Sequence, residues 1–98
     1  MLIKIHKSYR DTIAICDSEL IGKVFEKGNF QLDVKENFYK GEEVSEKKAG
    51  EIMQNMAKED ATFNIVGEKA VKCAIKAGII SEEGIKRIQS VPFALVLL

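Results

Sequence analysis

Apolar and polar residues alternate near the start of the chain in Leu2–Lys7, and in a second short stretch, Thr12–Cys16, the isoleucines Ile13 and Ile15 stand at alternate positions. Alternation places every second side chain on the same side of an extended backbone, so each stretch is predicted to be a strand with one apolar face. Ser8–Asp11 lies between them and has the composition of a turn. The pattern therefore predicts a β-hairpin.

Strand-like residues return at Val24–Phe25 and Phe30–Val34, on either side of Gly28-Asn29. In the second stretch the apolar side chains, Phe30 among them, share one face. That face is expected to be the buried side of a half-buried antiparallel strand.

Two segments with turn chemistry flank these strands. Asp17 and Ser18 are both suited to cap one helical turn, which Gly22 is expected to end. Phe38–Gly41 is predicted to be an extended aromatic turn. Its two adjacent rings then point to opposite sides, so that one is buried and the other is free.

The spacing of apolar side chains further along the chain predicts two main helices. The first helix follows Ser45, which is a suitable N-cap. Its apolar stripe consists of Ala49, Ile52, Met53, Met56 and Ala57. The second helix runs from Gly67 or Glu68 to Ala77, and Gly78 occupies the position after a helix end that favours glycine.

The last third of the chain mixes strand and turn signals. Thr62–Val66 and Phe93–Leu98 are expected to be strands, Ser81 is expected to cap a short turn, and Pro92 is expected to end the segment before it. Ile85–Ile88 fits a helix or a strand. Strands, then helices, then a strand indicate an α+β fold with a mostly antiparallel sheet and two main helices.

Length and charge limit the classes of protein that the sequence can represent. Its 98 residues fit one domain, spanning 1–98. Fifteen basic and fifteen acidic side chains give a formal net charge of zero, so contact with nucleic acid requires a local basic patch. The longest apolar run, 93–98, is too short to cross a bilayer, and the N-terminal residues lack a signal-peptide core. A cytoplasmic protein without membrane contact is predicted.

Cysteine and histidine are few and scattered. Cys16 and Cys73 stand alone, His6 is the only histidine, and no pair of these residues has the spacing of zinc ligands. No metal and no cofactor are predicted. A nucleophilic Cys16 or Cys73 with His6 as its base is the enzyme alternative, although nothing in the sequence places the residues together.

Gly67 stands between a predicted strand and a predicted helix. The free N–H groups of a helix N-terminus can bind an anion, and Lys69 would lie in the first turn. The glycines match neither a Walker phosphate loop nor a dinucleotide-binding fingerprint, and Glu68 brings a negative charge to the same place. A tight turn without a ligand is therefore the alternative to an anion site at Gly67.

Lysines form a stripe along the second predicted helix. Lys69, Lys72 and Lys76 fall at positions i, i+3 and i+7, which share one helix face. Such a row can follow the phosphates of RNA, although this helix has no aromatic residue on which a base could stack. An ordinary solvated helix face is the alternative.

Four stretches in this order resemble the archaeal protein family of unknown function that is numbered 424 among the domains of unknown function. They are Ala14–Lys23, Phe38–Gly41, Asn64–Val71 and Val91-Pro92. The resemblance covers essentially the whole chain. It implies an archaeal cytosolic protein with one α+β domain and no activity that can be carried over. It also implies genes that lie near those of translation factors, which favours RNA or a translation-related protein as partner.

The C-terminal part departs from this family pattern. The pattern is expected to read Gly-Val-Pro-His-Ala-Gln where this chain has Ser90–Leu95, so two polar positions are apolar here. The two most family-like stretches each lie at the end of a predicted strand. If the fold brings these ends together, Cys16, Asp17 and Asn64 are predicted to line one shallow cleft; two separate tight corners are the alternative.

Together these patterns favour a small binding module that contacts RNA, a ribonucleoprotein or a translation-related protein. The predicted contact is the lysine stripe with the Gly67 turn. The first alternative is a protein–protein interaction module that uses exposed apolar residues in Phe38-Tyr39 and Phe93–Leu95. The second alternative is the thiol enzyme. The oligomeric state is left open.

Overall fold

The computed structural model of the chain describes residues 1–97. Within them the strands are β1 (Leu2–His6), β2 (Thr12–Cys16), β3 (Val24–Lys27), β4 (Phe30–Asp33), β5 (Glu42–Glu43), β6 (Thr62–Val66), β7 (Lys86–Ile88) and β8 (Val91–Val96). The helices are α1 (Glu36–Tyr39), α2 (Glu46–Lys58) and α3 (Glu68–Lys76). Short 3-10 turns occupy Ser18–Leu20 and Glu82–Gly84.

One large sheet contains six of these strands, in the order β5-β1-β2-β6-β8-β7, while β3 and β4 form a separate hairpin. Every neighbouring pair is antiparallel except β2 and β6, which are parallel. The predicted α+β fold, with a mostly antiparallel sheet and two main helices, is confirmed. The parallel pair was not predicted, because its two strands are joined by a long crossover that contains α2.

Both faces of the large sheet are covered. Successive side chains of a strand point to opposite sides of the sheet, so each strand contributes to two apolar clusters. Ile15 and Ile65 pack against α2 and α3 on one side, which we call the helix face. Cys16 and Val66 pack against α1 and the β3–β4 hairpin on the other side, which we call the hairpin face.

The two main helices form where the apolar spacing predicts them. Ser45 caps α2, because its hydroxyl accepts the backbone N–H of Lys48 at 3.2 Å. Met53 is fully buried, whereas Ala57, which was predicted to lie on the same apolar stripe, is exposed. Ala57 lies about 80° around the helix from Ala49, at the margin of the stripe, so this part of the prediction is wrong.

The aromatic segment after β4 differs from its prediction. Residues 36–39 form a single turn of helix, not an extended turn, so Phe38 and Tyr39 do not alternate in the manner of a strand. Tyr39 is buried in the core of the hairpin face. Phe38 is half-buried and stacks on His6, with ring centroids 4.4 Å apart. Packing on the sheet stabilises this short helix, since so short a segment is not helical by propensity alone.

Two short turns are capped differently from their predictions. Neither Asp17 nor Ser81 forms a side-chain cap bond to its own turn. The backbone carbonyl of each residue instead accepts the N–H three positions later, from Leu20 and Gly84 respectively, both at 3.0 Å. The Asp17 carboxylate bonds to a different helix, described below.

The last two strands decide between the alternatives for Ile85–Ile88 and correct the prediction for Pro92. Ile85–Ile88 is largely strand, since β7 covers its last three residues. Pro92 lies inside β8, not before it, so its predicted role as a boundary is wrong. The sheet tolerates this proline because the carbonyl of Gly67, opposite Pro92, already accepts the N–H of Val71 at 2.9 Å. Leu98 of the predicted final strand lies outside the described residues.

Phe30 is the apolar residue whose position differs most from its prediction. Its side chain is 76% exposed, although it was expected on the buried face of β4. Phe30 follows the Gly28-Asn29 turn, where the hairpin reaches β7 at the edge of the large sheet. It therefore lies outside the core cluster that buries Leu32 further along the same strand. None of the helices in residues 1–97 has the length and hydrophobicity needed to cross a membrane.

Candidate functional site

The parallel pairing of β2 and β6 brings together the two strand ends that the sequence singles out. Cys16 is aligned with Val66, and the backbone N–H of Asp17 donates to the carbonyl of Val66 at 3.0 Å. Asp17 and Gly67 also line one cavity of about 180 Å³. The two ends therefore meet, as the cleft hypothesis requires.

The carboxylate of Asp17 occupies the N-terminus of α3. Its Oδ2 accepts the backbone N–H of Lys69 at 3.1 Å, and its Oδ1 accepts that of Ala70 at 2.8 Å. The side chain is only 3% exposed. Asp17 thus supplies the negative charge that a helix N-terminus favours, and it fills the position in which an external anion would bind at Gly67.

Cys16 is fully buried in the core of the hairpin face. Burial, followed by the charge of Asp17, raises the pKa of its thiol to about 12, so the group is protonated at neutral pH. The thiolate is the nucleophilic form of cysteine, and this environment disfavours it.

Asn64 lies in a different cavity from Asp17. It is half-buried on the hairpin face, where it lines an open cavity of about 550 Å³ with His6, Asp33 and Lys35. His6 forms a 2.8 Å hydrogen bond through Nε2 with the backbone carbonyl of Phe38. The predicted cleft residues Cys16, Asp17 and Asn64 are therefore neighbours along two strands without sharing one cavity.

The fold keeps His6 apart from both cysteines. In the β1–β2 hairpin His6 is aligned with Thr12, whereas Cys16 is aligned with Leu2, four residues away, or about 13 Å along the strand. Cys73 packs on the helix face, where its thiol donates to the carbonyl of Glu46 at 3.2 Å. Burial and the charge of Glu46 raise its pKa. The Cys–His pair of the enzyme alternative is not formed.

The lysine stripe is exposed, but acidic side chains accompany each of its members. Lys76 shares the groove between α2 and α3 with Lys47, Glu46 and Glu51. Lys72 shares a cavity with Glu68, Glu82 and Arg87. Lys69 shares the small cavity beside Gly67 with Asp17, Glu19 and Glu68. The first two cavities are balanced in charge and the third is acidic, so none of the three cavities beside the stripe is basic.

A basic groove lies instead between the tip of the β3–β4 hairpin and the edge of the large sheet. We call it the hairpin groove, and its volume is about 590 Å³. The described residues that line it are Lys27, Gly28, Asn29, Phe30, Lys86, Arg87, Ile88 and Phe93. Three of them are lysine or arginine and none is acidic, whereas each of the other four cavities described above has at least as many Asp and Glu residues as Lys and Arg residues.

Hydrogen bonds and an ion pair position the walls of this groove. The side chain of Gln89 donates to the backbone carbonyl of Glu26 at 2.8 Å and so ties the turn after β7 to the hairpin. Arg87 pairs with Glu68 at 3.0 Å on the exposed surface, where such a pair contributes little to stability. The two walls are therefore held together without covering Phe30.

Sequence reasoning missed the hairpin groove. Lys27 and Lys86 lie far apart in the chain, and the alternation of β4 places Phe30 on the same face as buried residues. The signal that was present is the position of Phe30 directly beside a two-residue turn, because an aromatic residue at a hairpin tip has fewer neighbours to cover it. Within the described residues, no group of three or more His, Cys, Asp or Glu side chains is arranged to hold a metal ion.

The sequence profile of a family described as "Protein of unknown function (DUF424)" matches residues 6–98, and the chain belongs to this family. The fold is similar to the crystal structure of an uncharacterized conserved protein from Methanopyrus kandleri, with a TM-score of 0.87. The two proteins are 25% identical, and the match covers 97% of this chain and 88% of that one. No curated protein sequence matches the chain significantly.

Proposed function

We propose that the protein binds single-stranded RNA and that the hairpin groove is the contact surface. The observation that carries this proposal is the exposed ring of Phe30 beside Lys27, Lys86 and Arg87, in a groove with no acidic side chain among its described lining residues. Cationic groups around an exposed aromatic ring are the combination that proteins use to bind single strands.

Phe30 supplies a stacking surface. Its ring is 76% exposed, and the half-buried ring of Phe93 lines the same groove. Stacking of one base on an aromatic side chain contributes about 1–3 kcal/mol, largely independent of the base. Burying this exposed ring against a base also removes apolar surface from water, which favours binding further.

Lys27, Lys86 and Arg87 supply the charge for contacts with phosphates. Each phosphate that they neutralise releases bound counterions. For each tenfold rise in salt concentration, the binding constant for a single strand therefore falls by about 0.7 logarithmic units per contact. Three contacts predict a slope near −2 in a plot of log K against log salt. Because the whole chain has no net charge, binding depends on this local patch.

A single strand fits the groove better than a duplex. Stacking on Phe30 requires a base that is not already stacked between its neighbours, and loops, bulges and single strands present such bases. RNA, or the RNA of a ribonucleoprotein, is therefore the proposed partner, and a translation-related complex in the cytoplasm falls within this class.

A matched pair of double variants tests the proposal. Lys27→Gln/Lys86→Gln removes two charges from the hairpin groove, and Lys69→Gln/Lys76→Gln removes two from the lysine stripe. Binding to a labelled single-stranded oligoribonucleotide of mixed sequence is measured by fluorescence anisotropy over a range of salt concentrations. The groove variant should weaken binding by about tenfold and lower the salt slope by about 1.4, while the stripe variant stays within about twofold of the parent.

Three results would overturn the proposal. Failure of the parent protein to bind the oligonucleotide at low salt would exclude the RNA partner. Equal losses in the two double variants would show that only the overall charge matters. A larger loss in the stripe variant would return the site to Lys69, Lys72 and Lys76 on α3.

A further inference from the structure

The outer edge of β8 is covered along only part of its length. β7 pairs with Val91–Phe93, and its alignment ends where Lys86 faces Phe93. β6 pairs with the other edge of β8 as far as Val96. Beyond Phe93, β8 therefore has a strand neighbour on one edge only within the described residues.

The direction of the backbone groups along β8 follows from one hydrogen bond. The N–H of Gly67 donates to the carbonyl of Pro92 at 2.8 Å, so the backbone carbonyl of Pro92 points towards β6. In an antiparallel ladder this direction alternates, so Ala94 and Val96 also face β6, and Leu95 faces outward. No described strand or loop backbone forms a hydrogen bond with the outward groups of Leu95.

This segment lacks the charges that protect the other sheet edges. β5, at one side of the sheet, consists of Glu42 and Glu43, and β7 at the other side begins with Lys86 and Arg87. Charged side chains discourage a further strand from pairing at an edge. The segment from Ala94 to Leu97 contains no charged residue, and the side chains of Leu95 and Leu97 are 57% and 73% exposed.

We propose that the end of this segment, Leu95–Leu97, pairs in antiparallel fashion with the same residues of a second copy of the chain. Because β7 already occupies the position opposite Phe93, the twofold axis has to pass near Val96, which places Leu95 of one copy opposite Leu97 of the other. The outward backbone groups of Leu95 are then bonded, and the exposed leucines pack across the junction.

Self-association suits this segment better than a charged partner. A twofold interface requires a surface that is complementary to itself, and two apolar strands of the same sequence meet this condition. The chain also has a formal net charge of zero, so two copies approach each other without net electrostatic repulsion.

The mass of the free protein in solution tests this inference without RNA, so its outcome is separate from that of the proposed function. The parent should shift with rising concentration from one chain of 11.0 kDa to twice that mass in light scattering coupled to size exclusion. Leu95→Lys adds a charge that disfavours strand pairing at this edge, so this variant should stay monomeric. Val24→Lys changes another exposed apolar residue, on β3, and should dimerise like the parent. A monomeric parent at every soluble concentration, or a Leu95→Lys variant that dimerises equally, overturns the inference.

Amide hydrogen exchange of the parent protein provides a second test if the lysine variant does not fold. The N–H of Ala94 faces β6 and serves as an internal reference, whereas the N–H of Leu95 is bonded only in the proposed dimer. Protection of Leu95 should increase with protein concentration while that of Ala94 stays constant. Protection of Leu95 that does not change with concentration contradicts the inference.

Discussion

The carboxylate of Asp17 accepts the backbone N–H of Ala70 at 2.8 Å, across 53 positions of the chain. It accepts the N–H of Lys69 as well, so one buried side chain satisfies two of the free donors at the start of α3. These two hydrogen bonds connect the end of β2 to the N-terminus of α3, the helix that follows β6. They lie where the parallel strands β2 and β6 end.

Removal of this carboxylate should destabilise the protein. Asp17→Ala leaves two donors at the start of α3 without their partner, which costs about 2 kcal/mol of the free energy of unfolding. Glu19→Ala removes a nearby exposed carboxylate and should change that free energy by no more than about 0.5 kcal/mol. Urea unfolding of the two variants measures the difference. Equal midpoints would show that the bond does not contribute to stability.

Gly67→Ala should destabilise the protein more than Gly22→Ala. Both glycines have positive φ angles, 111° and 81°, so alanine is strained at either position, and with a ψ of 158° Gly67 lies in a region that is essentially restricted to glycine and costs other residues about 1–3 kcal/mol. At position 67 the added Cβ would also overlap the carboxylate of Asp17, whereas at position 22 it meets no atom within 4 Å. The loss at position 67 should therefore exceed that at position 22 by at least about 1 kcal/mol. Similar thermal midpoints for the two variants would contradict this contact.

Ser90→Gly should stabilise the protein. Ser90 has a φ angle of 67° in the two-residue turn between β7 and β8, and such turns favour glycine because it lacks the Cβ that causes strain. The expected gain is about 1 kcal/mol. Ser81→Gly is the matched control, since Ser81 has a φ of −111° and should gain nothing. A Ser90→Gly variant with an unchanged or lower thermal midpoint would exclude strain at this position.

Stability should fall as the pH rises above 9. The pKa of Cys16 is raised from 9.0 to about 12 in the folded protein, so the folded state retains a proton that the unfolded state releases. Its contribution is complete below pH 9 and is lost as the pH approaches 12. Tyr39 acts in the same direction, because burial and Cys16 raise its pKa from 10.0 to about 12.

The contribution of Cys16 can be isolated by comparison with Cys16→Ala. The variant should be less stable than the parent below pH 9, and the difference should shrink as the pH rises towards 12. Urea midpoints at successive pH values measure this change. A difference between the two proteins that stays constant with pH would show that Cys16 titrates normally in the folded state.

Local patterns predicted the parts of the fold that depend on neighbouring residues. The β1–β2 hairpin, the cap at Ser45 and the glycine that follows the end of α3, Gly78, all arise from residues a few positions apart. Asp17 was predicted to be a cap and it is one, but for α3 and not for its own turn. The sequence predicted that the Asp17 side chain accepts backbone N–H groups. Which helix supplies those N–H groups depends on the parallel pairing of β2 with β6.

The candidate site was beyond such patterns for the same reason. The lysine stripe is a local feature, and its prediction could not include the acidic residues that other elements place beside it. The hairpin groove joins residues about sixty positions apart, which only the packing of the β3–β4 hairpin against β7 brings together. Phe30 is likewise exposed because it lies at the tip of the β3–β4 hairpin, and the alternation of its own strand does not indicate this exposure.

The most direct test of the RNA-binding proposal is a residue-resolved NMR titration of the protein with a single-stranded oligoribonucleotide. Amide shifts should concentrate at Gly28, Asn29 and Phe30 and across Lys86–Ile88, and they should largely vanish in Phe30→Ala, whereas Val24→Ala should keep them. Shifts that concentrate along α3 at Lys69, Lys72 and Lys76, or the absence of shifts at low salt, would contradict the assignment of the hairpin groove as the RNA-binding surface.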